Sequence, residues 1–177
     1  MTKRRSALQR QKDKYHAIRA EAFPDVKDDQ IWNIKDKHRT KGFTPIPRAM
    51  PLIGVIMDNL SGKGKPVSGT YLELWCRSFE NGFLILSKPR ETAFASGFSG
   101  ERAISTWKQR IRKLEELEFI KLQSGAAGEF NYVQILNPYH VIEKHKMADS
   151  PGFSRQHYMA LKERYIEIGA TDLDHFK

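Results

Sequence analysis

Apolar residues recur at helical spacing over most of this chain and form short runs in only three places. From Ser6 to Ala22 no Gly or Pro intervenes, and Leu8, Tyr15, Ile18 and Ala22 recur between basic residues. That pattern predicts a weakly amphipathic basic helix, ended by Pro24. A second short helix is expected from Asp28 to about Lys37, with Ile31, Trp32 and Ile34 as its apolar members. Gly42, Pro45 and Pro47 then punctuate the chain and mark a boundary between an arm, 1–47, and the more apolar remainder. The run Met50, Leu52, Ile53, Val55, Ile56, Met57, Leu60 predicts a helix apolar on most sides and largely buried. Thr70-x-x-Glu73 has the spacing of a capping box, opening a helix that runs through Leu72, Leu74, Trp75 and Phe79 to a glycine cap at Asn81-Gly82. Phe83–Leu86 is too short for a helix and is expected as a buried strand.

A helix opened by Pro89 should end at Gly97, and Ser99 offers a side-chain oxygen to cap the next. In that next helix, 99–118, Ile104, Trp107, Ile111, Leu114 and Leu117 stand at spacings of 3, 4, 3 and 3, the strongest helical signal in the chain. Two strand-like runs, Phe119–Gln123 and Phe130–Leu136, flank a small-residue tip and predict a hairpin. A helix from Pro138 to about Met147 and one capped by Ser154, carrying Tyr158, Leu161, Tyr165 and Ile168, complete the pattern. The expected organisation is arm and linker over 1–47, a central domain over 48–147 and a C-terminal helix within 148–177.

Charge adds a partner class. The 177 residues hold 30 Lys+Arg against 21 Asp+Glu, a formal +9, and 40% are hydrophobic, enough for a core. Residues 1–48 carry 13 basic against 6 acidic side chains, 49–118 carry 10 against 8, and 119–177 carry 7 against 7. The surplus is therefore an N-terminal property, concentrated in Lys3, Arg4, Arg5, Arg10, Lys12, Lys14 and Arg19 against a lone Asp13. Such an arm suits a phosphate backbone. No stretch approaches the ~18 apolar residues of a membrane span, and Met-Thr-Lys-Arg-Arg leads into no signal-like apolar run, so a cytoplasmic protein without a membrane partner is expected. The single Cys76 excludes an internal disulfide or a Cys-x-x-Cys site.

Taken in order, residues 69–136 read helix, short strand, helix, turn, long helix, strand, small-residue turn, strand. Ala93 and Gly97, four apart, with Phe98 and Ala103 following, resemble the Ala-x-x-x-Gly signature of a helix-turn-helix. Ile111-x-x-Leu-x-x-Leu-x-Phe-Ile120 resembles the passage from recognition helix to wing in bacterial winged-helix regulators. The resemblance spans about 70 residues and departs from the common pattern at Thr92 and Ser96, where apolar residues are usual. It implies a mainly α fold with a small β-hairpin wing: a winged helix-turn-helix with extra N- and C-terminal helices.

Opposite the apolar stripe of the long helix stand Arg102, Ser105, Thr106 and Gln109, the candidates for reading base edges, since Arg matches guanine and Gln adenine in bidentate geometry. Ser99, Arg110, Arg112, Lys113 and Lys121, with Lys3, Arg4, Arg5 and Arg10 of the arm, are candidates for phosphate. Glu115, Glu116 and Glu118 would repel DNA, so the C-terminal end of the helix should point away from it. The partner implied is double-stranded DNA, bound by a homodimer, because one recognition helix reads only a few base pairs. Either the 50–60 helix or the Tyr158 to Ile168 stripe is available as the dimer surface. The stripe is equally suited to packing on its own domain, and the arm to serving as a solubility tail.

Enzyme chemistry finds no foothold. Gly62-Lys-Gly-Lys65 suggests a phosphate loop, but Met57 stands where the first glycine is required and Gly64 where Ser or Thr is, so it reads as a basic turn. The six histidines lack metal-ligand spacing, and adjacent Glu115 and Glu116 point different ways. No catalysis, cofactor, metal or small-molecule ligand is expected. The function implied is transcriptional regulation by sequence-specific DNA binding. The alternatives are a replication or partition protein of a plasmid or other mobile element, or an adaptor whose winged helix binds protein or RNA.

Overall fold

The basic N-terminal helix forms as its composition requires, without a buried face. The computed structural model describes residues 7–27, 30, 31 and 42–171, and the chain divides into two units, 1–44 and 45–177. In the first, α1 (Ala7–Ala22) exposes Tyr15 and Ile18 and carries Arg10 on its surface. Lys3, Arg4, Arg5, Trp32 and most of the helix expected over 28–37 lie outside the described residues.

The second unit begins with α2 (Met50–Ser61), whose Ile53, Ile56 and Met57 are fully buried while Pro51 and Val55 face out. α3 (Ser68–Arg77) follows, and here the capping box is corrected. Thr70 is buried inside the helix, and the N-terminus is held by Asp58 of α2. The Asp58 carboxylate accepts hydrogen bonds from Val67 N (2.6 Å), Ser68 N (2.8 Å) and Ser68 Oγ (2.7 Å). A carboxylate ten positions back does what a local Thr/Glu pair would have done, and it ties two helices together. α3 also stops short of Phe79. Its end is at Arg77, and Asn81 and Gly82, both at positive φ, turn the chain into β1 (Phe83–Ile85) instead of capping the helix.

β1 is half-buried rather than buried. Leu84 points to the core, whereas Phe83 and Ile85 face solvent, as expected of an edge strand with one covered face. α4 (Pro89–Ala95) ends in a complete Schellman motif, with Phe98 N donating to Ala93 O (3.0 Å) and Gly97 N to Phe94 O (2.9 Å). Ala93 is buried as a packing residue should be, but Gly97 has open space around it and is needed for its φ of 88°. The connection to α5 then runs over 96–102, longer than the ~3–4-residue turn of a compact helix-turn-helix.

The expected start of the long helix is also corrected. α5 is Ala103–Glu116, with Arg102 at its N-cap and no side-chain cap bond, so Ser99 lies outside the helix in the connection. Gly100, at φ 83°, has already turned the chain away from a Ser99 cap. The sheet closes the unit: β2 (Ile120–Gly125) and β3 (Gly128–Ile135) form a hairpin around Ala126-Ala127, and β1 adds antiparallel to β3, in the order β1-β3-β2. Leu84, Val133 and Ile120 turn to the core, and Phe83 stacks on Tyr132 across the outer face at 6.2 Å. Among the described residues the chain is thus mainly helical, with seven α-helices and one small three-stranded antiparallel sheet.

α6 (Pro138–Met147), capped by Asn137, and α7 (Arg155–Glu167), capped by Ser154, belong to the same unit. His145 pins α6 to the end of α5. Its Nε2 donates to Leu117 O, which only accepts, at 3.0 Å, and its Nδ1 lies 2.9 Å from Ser150 Oγ. Tyr158, Leu161 and Tyr165 are buried and α7 packs on α2, where Asn59 Nδ2 meets His157 Nδ1 at 2.8 Å. The Tyr158 to Tyr165 stripe is buried within its own unit, where the Tyr158 hydroxyl donates to Glu143 of α6 and Tyr165 meets Tyr139 of α6 edge-on, whereas Val55 of α2 stays exposed.

Candidate nucleic-acid interface

α5 is held by one face and presents the other. Trp107, Ile111 and Leu114 are fully buried, each contributing roughly 1.5–3 kcal/mol by leaving water. Ser105, Gln109, Arg112 and Glu116 are exposed at spacings of 4, 3 and 4, a stripe opposite the core that exposed Arg102 at the N-cap precedes by three positions. Of the four base-reading candidates, Ser105 and Gln109 stand on this stripe, Arg102 precedes it and Thr106 is half-buried beside it. Ser105 Oγ donates to Arg102 O at 2.9 Å, which leaves the oxygen's lone pairs as its outward function.

The two flanks of the stripe differ. Toward the wing, Arg112 Nη2 lies 2.8 Å and Lys108 Nζ 3.2 Å from the carboxylate of Glu129 on β3. Both cations also sit over the Phe130 ring, at 5.4 and 5.8 Å, and Phe130 meets Trp107 edge-on. Hydrogen bonds from Arg112 and then Lys108 hold the Glu129 carboxyl below the ordinary carboxylate range. Arg112, expected on phosphate, is therefore shared with an acid of its own wing. Away from the wing, Arg110 reaches Gly64 O in the α2–α3 turn (3.3 Å), and Lys113 pairs with Glu116 (2.7 Å).

The remaining candidates are dispersed. Ser99 is exposed on the 96–102 connection, Lys121 lies at the base of β2 opposite Gln134 rather than at the wing tip, and Arg10 belongs to the other unit. Sequence reasoning missed Glu129, which is 17 and 21 positions from its partners, so only the hairpin register reveals the pair. It also missed the proximity of the Gly62–Lys65 turn to α5, 46 positions on. Neither left a local signal.

Apolar surface is exposed as well: Phe79 at 87%, Phe94 at 74% and Ile85 at 59%, with Phe83 beside Tyr132 on the outer face of the sheet. A separate cavity of about 400 Å³ between segment 46–47, α2 and α3 is lined by Ile46, Met50, Val55, Tyr71 and Leu72 and includes no residue of α5. Among the described residues no three His, Cys, Asp or Glu side chains are grouped to hold a metal, and no helix is long and apolar enough to cross a membrane. Compared with protein-family models, curated proteins and solved structures, the chain matches none.

Proposed function

We propose that residues 45–177 form a winged helix-turn-helix that binds duplex DNA sequence-specifically as a transcriptional regulator. In this reading α4 crosses the backbone, α5 enters the major groove, and the β2–β3 hairpin is the wing. The observation that carries the reading is the α5 stripe. Ser105 and Gln109 are exposed on the N-terminal half of a helix anchored by a fully buried Trp107, Arg102 is exposed at its N-cap, and the one acid on the stripe, Glu116, lies at the far end. The strand order β1-β3-β2 and the N-terminus of α5, which no side chain caps, support it. Arg102 and Gln109 read bases, and Arg10 with Lys3, Arg4 and Arg5 of the basic arm supplies affinity without sequence choice. Dimeric binding belongs to the same proposal.

Selection of bound duplexes from a random pool tests this directly. A recovered consensus with two-fold symmetry is the expected result, and equal recovery of all duplexes would overturn sequence-specific binding. Genomic neighbourhood then separates a regulator from a replication or partition factor. A second reading, a winged helix that binds protein or RNA, is favoured by exposed Phe79, Ile85 and Phe94. It predicts duplex affinity with little sequence preference or none at all.

A further inference from the structure

The Gly62–Lys65 turn lacks the spacing of a nucleotide-binding loop, yet it is closely built. The Ser61 hydroxyl, buried with its residue, lies 2.6 Å from Lys65 O and 2.9 Å from Asp58 O, and Lys65 N donates to Gly62 O at 3.2 Å. Gly62 and Gly64 take φ of 90° and 75°, which lets four residues reverse the chain with nothing packed on the turn's outer side. From α5, Arg110 Nη2 donates to Gly64 O at 3.3 Å, so the turn is latched to the side of the helix away from the wing.

Lys63 and Lys65 are exposed on this turn, and among the described residues neither has an acidic partner. Asp58, whose main-chain oxygen accepts from the Ser61 hydroxyl below the turn, has its carboxylate committed to the α3 N-terminus through three hydrogen bonds. The cations on the opposite flank, Lys108 and Arg112, share Glu129. Uncompensated positive charge beside α5 is therefore found on the turn side. Two ammonium groups on flexible stems are point charges suited to phosphate and indifferent to base sequence.

We propose that the Gly62–Lys65 turn is a backbone clamp, with Lys63 and Lys65 seating phosphates of duplex DNA on the flank of α5 opposite the wing. The clamp rests on the reading of α5 as the DNA-reading helix. It fits duplex backbone rather than a free nucleotide, because two of the turn's amides, Gly62 N and Lys65 N, are already bonded to Asn59 O and Gly62 O and both lysines are exposed at the surface.

The test uses the full chain with Lys63→Ala/Lys65→Ala, titrated against salt on a pool-selected duplex and on an unrelated duplex of equal length. Loss of two phosphate contacts should flatten the slope of log affinity against log salt by roughly 1.8, about 0.9 per contact. At ~0.1 M salt the expected loss is on the order of tenfold or more, equal on both duplexes, with the selected site unchanged. A control at another exposed cation without an acidic partner among the described residues, Lys162→Ala on α7, should leave the slope in place. If the control flattens the slope equally, or if the Lys63/Lys65 variant binds like wild type while Arg102→Ala still loses site preference, the clamp is overturned and the reading helix stands. If the wild-type chain binds no duplex, both fall together. Unchanged unfolding midpoints verify that the exposed substitutions leave the fold intact.

Discussion

The two flanks of α5 are both basic in sequence and opposite in electrostatic state. On the wing flank Lys108 and Arg112 are folded down onto Phe130 and neutralised in part by Glu129. On the turn flank Arg110 spends one N–H on a neutral carbonyl, and the exposed lysines of that turn have no acidic partner among the described residues. Counting basic residues would rank the flanks as equals. Apart from Lys113, which pairs with Glu116 one turn along its own helix, what separates them is whether the tertiary neighbour is a carboxylate or a peptide oxygen, since only the first cancels the field that a phosphate would meet.

The largest disruption of this contrast comes from Phe130→Ala. Phe130 is buried, lies under both wing-flank cations and touches Trp107, so its loss should cost about 3–5 kcal/mol in chemical denaturation. Gly125→Ala should come next. A Cβ there would collide with Asn131 Oδ1 and the Tyr132 ring at the irregular pairing near the hairpin tip, and overpacking of this kind costs roughly 1–3 kcal/mol, readable as a lowered melting temperature. Arg102→Ala removes the proposed base reader from between the flanks without touching the fold. The expected outcome is roughly 1–3 kcal/mol of lost discrimination at one base position, measured by competition between the selected duplex and point variants of it. Glu129→Gln should free Lys108 and Arg112, raising duplex affinity by about 2- to 5-fold with a steeper salt slope. Unchanged affinity would show that the wing flank does not face DNA.

The smallest effect is on stability against pH. Because the folded-state Glu129 carboxyl is depressed, its pairing stabilises fully above the ordinary carboxylate range and is lost as pH falls through the depressed value. The difference in unfolding midpoint between wild type and Glu129→Gln should therefore be constant near neutrality and close only in acid.

Much of the architecture is legible in the sequence because single helices and strands carry their own periodicity. The Ile104 to Leu117 spacing identifies α5 and its outward face, and Ser154 caps α7 as its place before the Tyr158 stripe implies. Boundaries are misplaced where a distant side chain or a backbone twist intervenes. Thr70-x-x-Glu73 has the right spacing, but it is Asp58 that reaches the α3 N-terminus. Ser99 has the right side chain for a cap, but positive φ at Gly97 and Gly100 carries the chain four residues further before α5 begins.

The candidate site divides in the same way. That Ser105 and Gln109 share an outward face needs helical geometry alone, so the order of residues is enough to place them, as it is for the mainly helical succession of elements, whereas Arg102 stands at the N-cap. Which cations near α5 stay unpaired depends on contacts between residues 17 to 46 positions apart, Glu129 to Arg112 and Gly64 to Arg110. The burial of the Tyr158 stripe within its own unit is settled at the same level, by the folded chain. Charge compensation and burial are properties of neighbours in space, and local periodicity says which way a side chain points but not what it meets.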